Sequence, residues 1–202
     1  MASKKYAFLY KNVLEMFQPE KKELDKLHEK LDSFLESLKS AIKSMDISAE
    51  PFVGGSFAKG TLIKKKEYDV DIFVRFDSKY NDLEISKLTR DILKKSGNKK
   101  FLVTHGSRDY FKLPIFLDKK ESFFEIVPVL KVSKPEKAVN ITDLSYFHVN
   151  YIEKKLKTEK QLNEVKLAKA FCQAQGVYGA ESYIQGFSGY ALELLIHNYG
   201  SL

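Results

Sequence analysis

The chain has 202 residues, 44% hydrophobic and 30% charged, with a formal net charge of +7. That supports one large domain or two small ones with a real apolar core. Its single cysteine, Cys172, excludes an intrachain disulfide and a cysteine metal cluster. No apolar run reaches the roughly 18 residues of a membrane span, and no signal-peptide pattern is present, so no membrane partner and a cytoplasmic location are expected.

The positive excess is almost all lysine; the only arginines are Arg75, Arg90 and Arg108. A basic surface suits a polyanion, whether nucleic acid, nucleotide or membrane, and a lysine coat that merely solubilises has the same composition.

Residues 3–17 read as a helix with Tyr6, Leu9, Leu14 and Phe17 as core contacts. Pro19 suits the first turn of a second helix, which carries Leu24, Leu27, Leu31, Phe34, Leu35, Leu38, Ile42 and Met45 at three- and four-residue spacing. That stripe is broader than a coiled-coil seam, so a helix lying on a sheet is expected. Pro51 to Val53 leads into Gly54-Gly55, and Ser56 to Leu62 is a short helix or turn. Tyr68 to Phe76 is a strand, and Leu83 to Lys95 is a helix ending near Gly97. Phe101 to Thr104, Tyr110 to Leu117 and Phe123 to Leu130 read as strands, the last two a hairpin around Asp118-Lys119-Lys120. Tyr146 to Leu156 and Glu159 to Gln175 are helices; after an irregular stretch, Phe187 to Asn198 is the last one. Two parts are expected: residues 1–132 with strands and helices, and a helical segment over 133–202.

Two carboxylates, Asp69 and Asp71, share one face of the strand, because side chains at i and i+2 point the same way. Like charges side by side on a half-buried strand repel unless a cation neutralises them. Phosphoryl-transfer sites use such pairs to hold two metals roughly 3.5–4 Å apart. Glu125, alone among apolar residues in Phe123-Phe124-Glu125-Ile126-Val127-Pro128, is the candidate third ligand. Oxygen-only ligands favour magnesium over zinc. A solvated edge strand is the bland reading of the same three residues.

Upstream, Gly54 and Gly55 permit close backbone approach, and Ser56 can cap the short helix that follows. The Ser56 backbone N–H and hydroxyl can hold a terminal phosphate, and Lys59, one turn on, adds a point charge. An ordinary strand-to-helix turn has the same sequence. The Gly-Lys-Ser/Thr ending of a Walker loop is absent.

Taken together, Gly54-Gly55-Ser56-Phe57-Ala58-Lys59-Gly60-Thr61 followed by Asp69-Val70-Asp71 resembles the signature of the DNA polymerase β nucleotidyltransferase superfamily. Three later segments resemble the archaeal, class I CCA-adding tRNA nucleotidyltransferases. These are Glu164 to Lys169, Gly176 to Glu181, and Gly186 to Leu195; Phe124 to Val129 and Phe147-His148 also match. The resemblance implies an α+β fold: a polymerase β-like head, a mixed sheet with flanking helices, followed by a helical neck segment. It implies that Asp69, Asp71 and Glu125 hold two magnesium ions, one activating the tRNA 3′-hydroxyl and one binding the triphosphate. Gly55, Ser56 and Lys59 would hold the phosphates, and His148, Lys169 and Tyr178 match residues that contact the nucleotide's phosphates and sugar. The implied activity is addition of C, C and A to the tRNA 3′ end from CTP and ATP.

Several positions depart from the family's pattern. Glu125 stands where aspartate is usual, Lys59 where arginine is common, and Gln185 where a basic residue often precedes Gly-Phe-Ser-Gly. The family continues past the segment matching Tyr199 to Leu202 into body and tail domains that grip tRNA. The expectation is therefore a catalytic part whose tRNA-binding domains lie on a second polypeptide or are deleted. A stand-alone nucleotidyltransferase acting on another RNA or a protein, and a non-catalytic module keeping the fold, are the alternatives.

Overall fold

A computed structural model describes residues 2–201. The chain divides into two compact units: Lys21–Gly55 with Lys66–Phe147, and Met1–Glu20 with Ser56–Lys65 and His148–Leu202.

The first of these is built on a five-stranded sheet. Its strands are β1 (Ala49–Val53), β2 (Asp69–Phe76), β3 (Leu102–His105), β4 (Asp109–Leu117) and β5 (Lys120–Leu130). They lie in the order β1-β2-β5-β4-β3. Only the β2–β5 pair is parallel; the other three are antiparallel, so the sheet is mixed as expected. β1 begins two residues before Pro51, because Ala49 and Glu50 already pair with Phe76 and Arg75. The β4–β5 hairpin is tighter than Asp118-Lys119-Lys120, since Lys120 already pairs with Leu117. Asp118 makes this turn with a φ of +57°, a conformation aspartate tolerates better than most residues.

One face of the sheet carries Val70, Ile72 and Val74 from β2 and Phe124 and Ile126 from β5, all buried. Helix α2 (Lys21–Ser44) packs here, burying Leu27, Leu31, Phe34, Leu38 and Ile42. Phe34 stacks on Phe124 with ring centroids 5.0 Å apart, which settles the helix-on-sheet expectation. Helix α4 (Asp82–Lys95) packs beside α2 and starts at a capping box. Asn81 accepts from the Leu83 and Glu84 N–H groups, while Glu84 accepts from the Asn81 N–H.

The opposite face is apolar at one end only. Phe73, Val127 and Val129 pack there with Phe52 and Tyr110. Beside them the Arg75 guanidinium lies 3.5 Å from the centre of the Tyr146 ring and bonds Glu50 at 2.9 Å. After β5 come two single turns of 3₁₀ helix, Pro135–Lys137 and Ile141–Leu144, the second of which carries buried Asp143. Its carboxylate accepts from the Leu130, Val139 and Asn140 N–H groups and pairs with buried Arg108.

The second unit contains α1 (Ala2–Phe17), α3 (Gly55–Ala58, apart from its first residue), most of α5 (Ser145–Lys155), α6 (Glu159–Ala174) and α7 (Gly189–Tyr199). Its core joins Ile152, Leu156, Val165, Ala168, Cys172, Leu192 and Ile196, with Tyr178 and Tyr190 at the edge. α6 opens on the Thr158–Gln161 capping box. α7 begins at Gly189 and not at Phe187, because Ser188 caps it by accepting from the Ala191 N–H at 3.1 Å. Tyr6 and Leu9, expected in the core, are 58% and 52% exposed. α1 packs against α6, with Leu14 and Phe17 half-buried, while Tyr6 and Leu9 lie on α1 surface this contact leaves open. Among the described residues no helix is long and apolar enough to cross a membrane.

Candidate active site

The carboxylates occupy the polar end of the sheet's second face. Asp69 and Asp71 alternate with buried Val70 and Ile72 on β2, so both leave the core. Asp71 lies directly opposite Glu125 in the parallel β2–β5 register, and Glu125 lies opposite Lys112 in the β4–β5 register. Residues in register point to the same side of a sheet, so three acids and one lysine share one face. The lysine Nζ is 3.3 Å from Asp69 Oδ1 and 3.7 Å from Glu125 Oε1. Asp69 Oδ1 is sealed from solvent and receives no hydrogen bond, so the lysine reaches it as a charge and not as an aligned donor.

The glycine turn closes onto these carboxylates. The Gly54 N–H donates to the Asp71 carbonyl at 2.8 Å, continuing the β1–β2 ladder by one residue. Gly55 then turns with a φ of +60°, and a Cβ there would lie 1.6 Å from Asp71 Oδ2. Only glycine lets the backbone approach this carboxylate so closely.

Among the described residues, no three acidic, histidine or cysteine side chains are drawn into a ready-made metal cage. The donor set nonetheless fits a hard divalent cation: three carboxylates on one face, and one buried carboxylate oxygen without a hydrogen bond.

The other predicted residues lie in the second unit, around buried Glu193 of α7. Its Oε2 is 2.5 Å from Lys59 Nζ, and its Oε1 accepts the Thr61 hydroxyl at 2.8 Å. Lys169 is 1% exposed and donates to the Thr61 carbonyl and hydroxyl at 2.9 and 3.0 Å, with Glu193 at 3.7 Å. Burial pushes the Lys169 amine down to about 8; Lys59 and Lys65 also lower it, while Glu193 opposes them. His148 stacks on Tyr190 with centroids 4.1 Å apart. Burial, then the charge on Lys59, hold the imidazole below its usual range, so it is neutral at pH 7. Burial likewise raises the Tyr190 hydroxyl, with Tyr151 and Glu193 adding to it.

Tyr178 pairs with Phe187 in a short parallel bridge, where the Phe187 N–H donates to the Val177 carbonyl at 2.8 Å. A Cβ at Gly189 would lie 3.3 Å from the Tyr178 hydroxyl and 3.6 Å from Lys169 Nζ, so both reach the start of α7. The Ser56 carbonyl accepts the Thr61 N–H at 2.9 Å, closing the turn that carries Lys59.

The structure thus gathers Gly55, Asp69, Asp71 and Glu125 in one unit, and Lys59, His148, Lys169 and Tyr178 in the other. Sequence reading passed over Lys112 and Glu193. Glu193 carries the signal that singled out Glu125: one carboxylate in an apolar run, Ala191-Leu192-Glu193-Leu194-Leu195.

A mixed sheet with paired carboxylates on β2, a third acid on the parallel neighbour and a glycine turn before them defines the polymerase β-like nucleotidyltransferase class. Within that class the chain belongs to the nucleotidyltransferase domain family, whose profile matches residues 31–166. The profile described as tRNA nucleotidyltransferase, second domain, matches residues 163–202. The CCA-adding enzyme of Nanoarchaeum equitans is 39% identical over 190 residues, 94% of this chain and 45% of that enzyme. That of Thermoplasma volcanium is 33% identical over 194 residues, 95% of this chain and 42% of the enzyme. The chain therefore spans less than half the length of the curated relatives it matches. Among solved structures, E. coli MS115-1 CdnC with ATP aligns with a TM-score of 0.69 at 16% identity, covering 94% of this chain and 64% of that one. The RNA terminal uridylyl transferase Cid1 gives 0.69 at 17% identity, covering 96% and 54%. At those identities the likeness concerns the fold.

Proposed function

We propose that this chain is the catalytic part of a CCA-adding tRNA nucleotidyltransferase, transferring CMP and AMP from CTP and ATP to the tRNA 3′ end. The observation that carries the reading is the alignment of Asp69, Asp71 and Glu125 on one sheet face, with the Gly54-Gly55 turn pressed onto Asp71. The 39% identity to a CCA-adding enzyme across nearly the whole chain supports the choice of tRNA.

In this reading Asp69, Asp71 and Glu125 would hold magnesium, which would supply positive charge for the attacking 3′-hydroxyl and the departing pyrophosphate. Gly55 and Ser56 present backbone N–H groups to the phosphates. Lys59 adds a point charge, oriented by Glu193. His148, neutral at pH 7, offers a ring nitrogen as a hydrogen-bond partner to phosphate or sugar, and stacking on Tyr190 orients it. Tyr178, whose hydroxyl reaches the start of α7 beside Lys169, offers that hydroxyl to phosphate or sugar in the same way as His148. Lys169 belongs to this set through the field of its ammonium and its hold on Thr61.

The test is the choice of acceptor. With magnesium, labelled CTP and ATP are offered together with tRNA lacking its CCA end, complete tRNA, and an unrelated RNA of equal length. Label entering only the first is expected; label entering all three alike overturns the assignment to CCA addition.

A further inference from the structure

The candidate active site contains one charged side chain to which the proposed reaction gives no part. Lys112 projects from β4 into the carboxylate face, opposite Glu125. Its ammonium bridges two of the three acids, at 3.3 Å from Asp69 and 3.7 Å from Glu125, and lies 4.1 Å from the centre of the Phe123 ring. Its side chain is 31% exposed, so it is neither a core residue nor a free surface lysine.

Magnesium needs carboxylate oxygens at about 2.0–2.1 Å, and any divalent ion needs free lone pairs on them. It would carry its charge into the space the ammonium now covers, and two cations that close repel each other. The lysine stem has four flexible carbons, so the ammonium can leave without moving the strand. The buried oxygen of Asp69, which has charge compensation but no aligned hydrogen bond, is the atom that gains most from the exchange.

We propose that Lys112 is a tethered counter-cation of the carboxylate site. It neutralises Asp69 and Glu125 in the metal-free protein, is displaced when a divalent cation binds, and thereby sets the affinity for that cation. The inference rests on the reading of Asp69, Asp71 and Glu125 as cation ligands.

The experiment is a titration with Mn²⁺, followed by electron paramagnetic resonance, on the wild-type chain, Lys112→Met, Lys112→Gln and Asp71→Ala. Thermal melts of each are taken without metal and at saturating Mn²⁺. Both lysine variants should bind Mn²⁺ roughly three- to tenfold more tightly than wild type, the range expected when a partly exposed ion-pair competitor is lost. Both should melt below wild type without metal, and the gap should close when the metal is added. Equal or weaker Mn²⁺ binding by the folded lysine variants, with wild type binding and Asp71→Ala not, overturns the counter-cation and leaves the carboxylate site standing. Absence of Mn²⁺ binding by wild type and lysine variants alike overturns the carboxylate reading and this inference with it.

Discussion

Gly55 and Asp71 fit together with no room for a side chain: a Cβ at Gly55 would fall 1.6 Å from Asp71 Oδ2. The turn backbone and the carboxylate therefore fix each other's position. Gly55→Ala meets two penalties, a φ of +60° that L-residues disfavour and the displacement of Asp71. A loss of about 1–3 kcal/mol in stability is expected from the strained backbone. Divalent-cation affinity should fall as well, because Asp71 is pushed out of line. Calorimetric melting and Mn²⁺ titration measure the two effects; a variant with native melting temperature and native affinity contradicts the fit.

Glu193 neutralises two buried ammonium groups, with Lys59 at 2.5 Å and Lys169 at 3.7 Å, and all three side chains are under a tenth exposed. Glu193→Gln keeps the size of the side chain and removes its charge. Removing one partner of a buried ion pair leaves the other uncompensated, so a loss of about 3 kcal/mol or more is expected. Thr61→Val removes a single hydroxyl that links the same carboxylate to Lys169 and should lose only about 1–3 kcal/mol. Urea denaturation of the two variants gives the comparison, and equal losses would argue against charge as the organising element.

Two groups give stability a defined pH dependence. His148 is held below its usual 6.5, so the unfolded chain takes up that proton first as the pH falls. Stability should therefore decline as the pH drops below 6.5, and the decline should be shallower in His148→Gln. Lys169 sits at about 8 against an ordinary 10.5. Between those values the unfolded lysine holds its proton and the folded one has lost it. The wild type should gain stability relative to Lys169→Met as the pH rises from 8 towards 10.5. Denaturant midpoints across pH 5–10 report both slopes; NMR titration of the His148 ring checks the first directly.

Strand period alone put Asp69 and Asp71 on one face, and helical spacing alone found α2 and its buried stripe. Glu125 was legible because a lone acid in an apolar strand needs a partner. Which partner was not legible, since that depends on register: Glu125 faces Asp71 on one side and Lys112 on the other. A lysine's default is solvent, so nothing in Tyr110-Phe111-Lys112-Leu113 marks the ammonium as part of the site. The same default hid the burial of Lys169 at 1% exposure. In α1 the failure ran the other way: apolar spacing suggested that Tyr6 and Leu9 are core, but spacing says only that a face is apolar, not what covers it. The start of α7 was two residues early because Phe187 is apolar enough to continue the helix, whereas the cap is made by Ser188.

The most direct measurement is incorporation of labelled CTP and ATP into tRNA lacking its CCA end, with magnesium and tRNA near saturation, by the wild-type chain beside Asp71→Ala. Ordered addition of C, C and then A by the wild type, and none by a variant whose circular dichroism is unchanged, is the expected result. Equal incorporation by both proteins contradicts the assignment of Asp69, Asp71 and Glu125 as the centre of a nucleotidyl-transfer site.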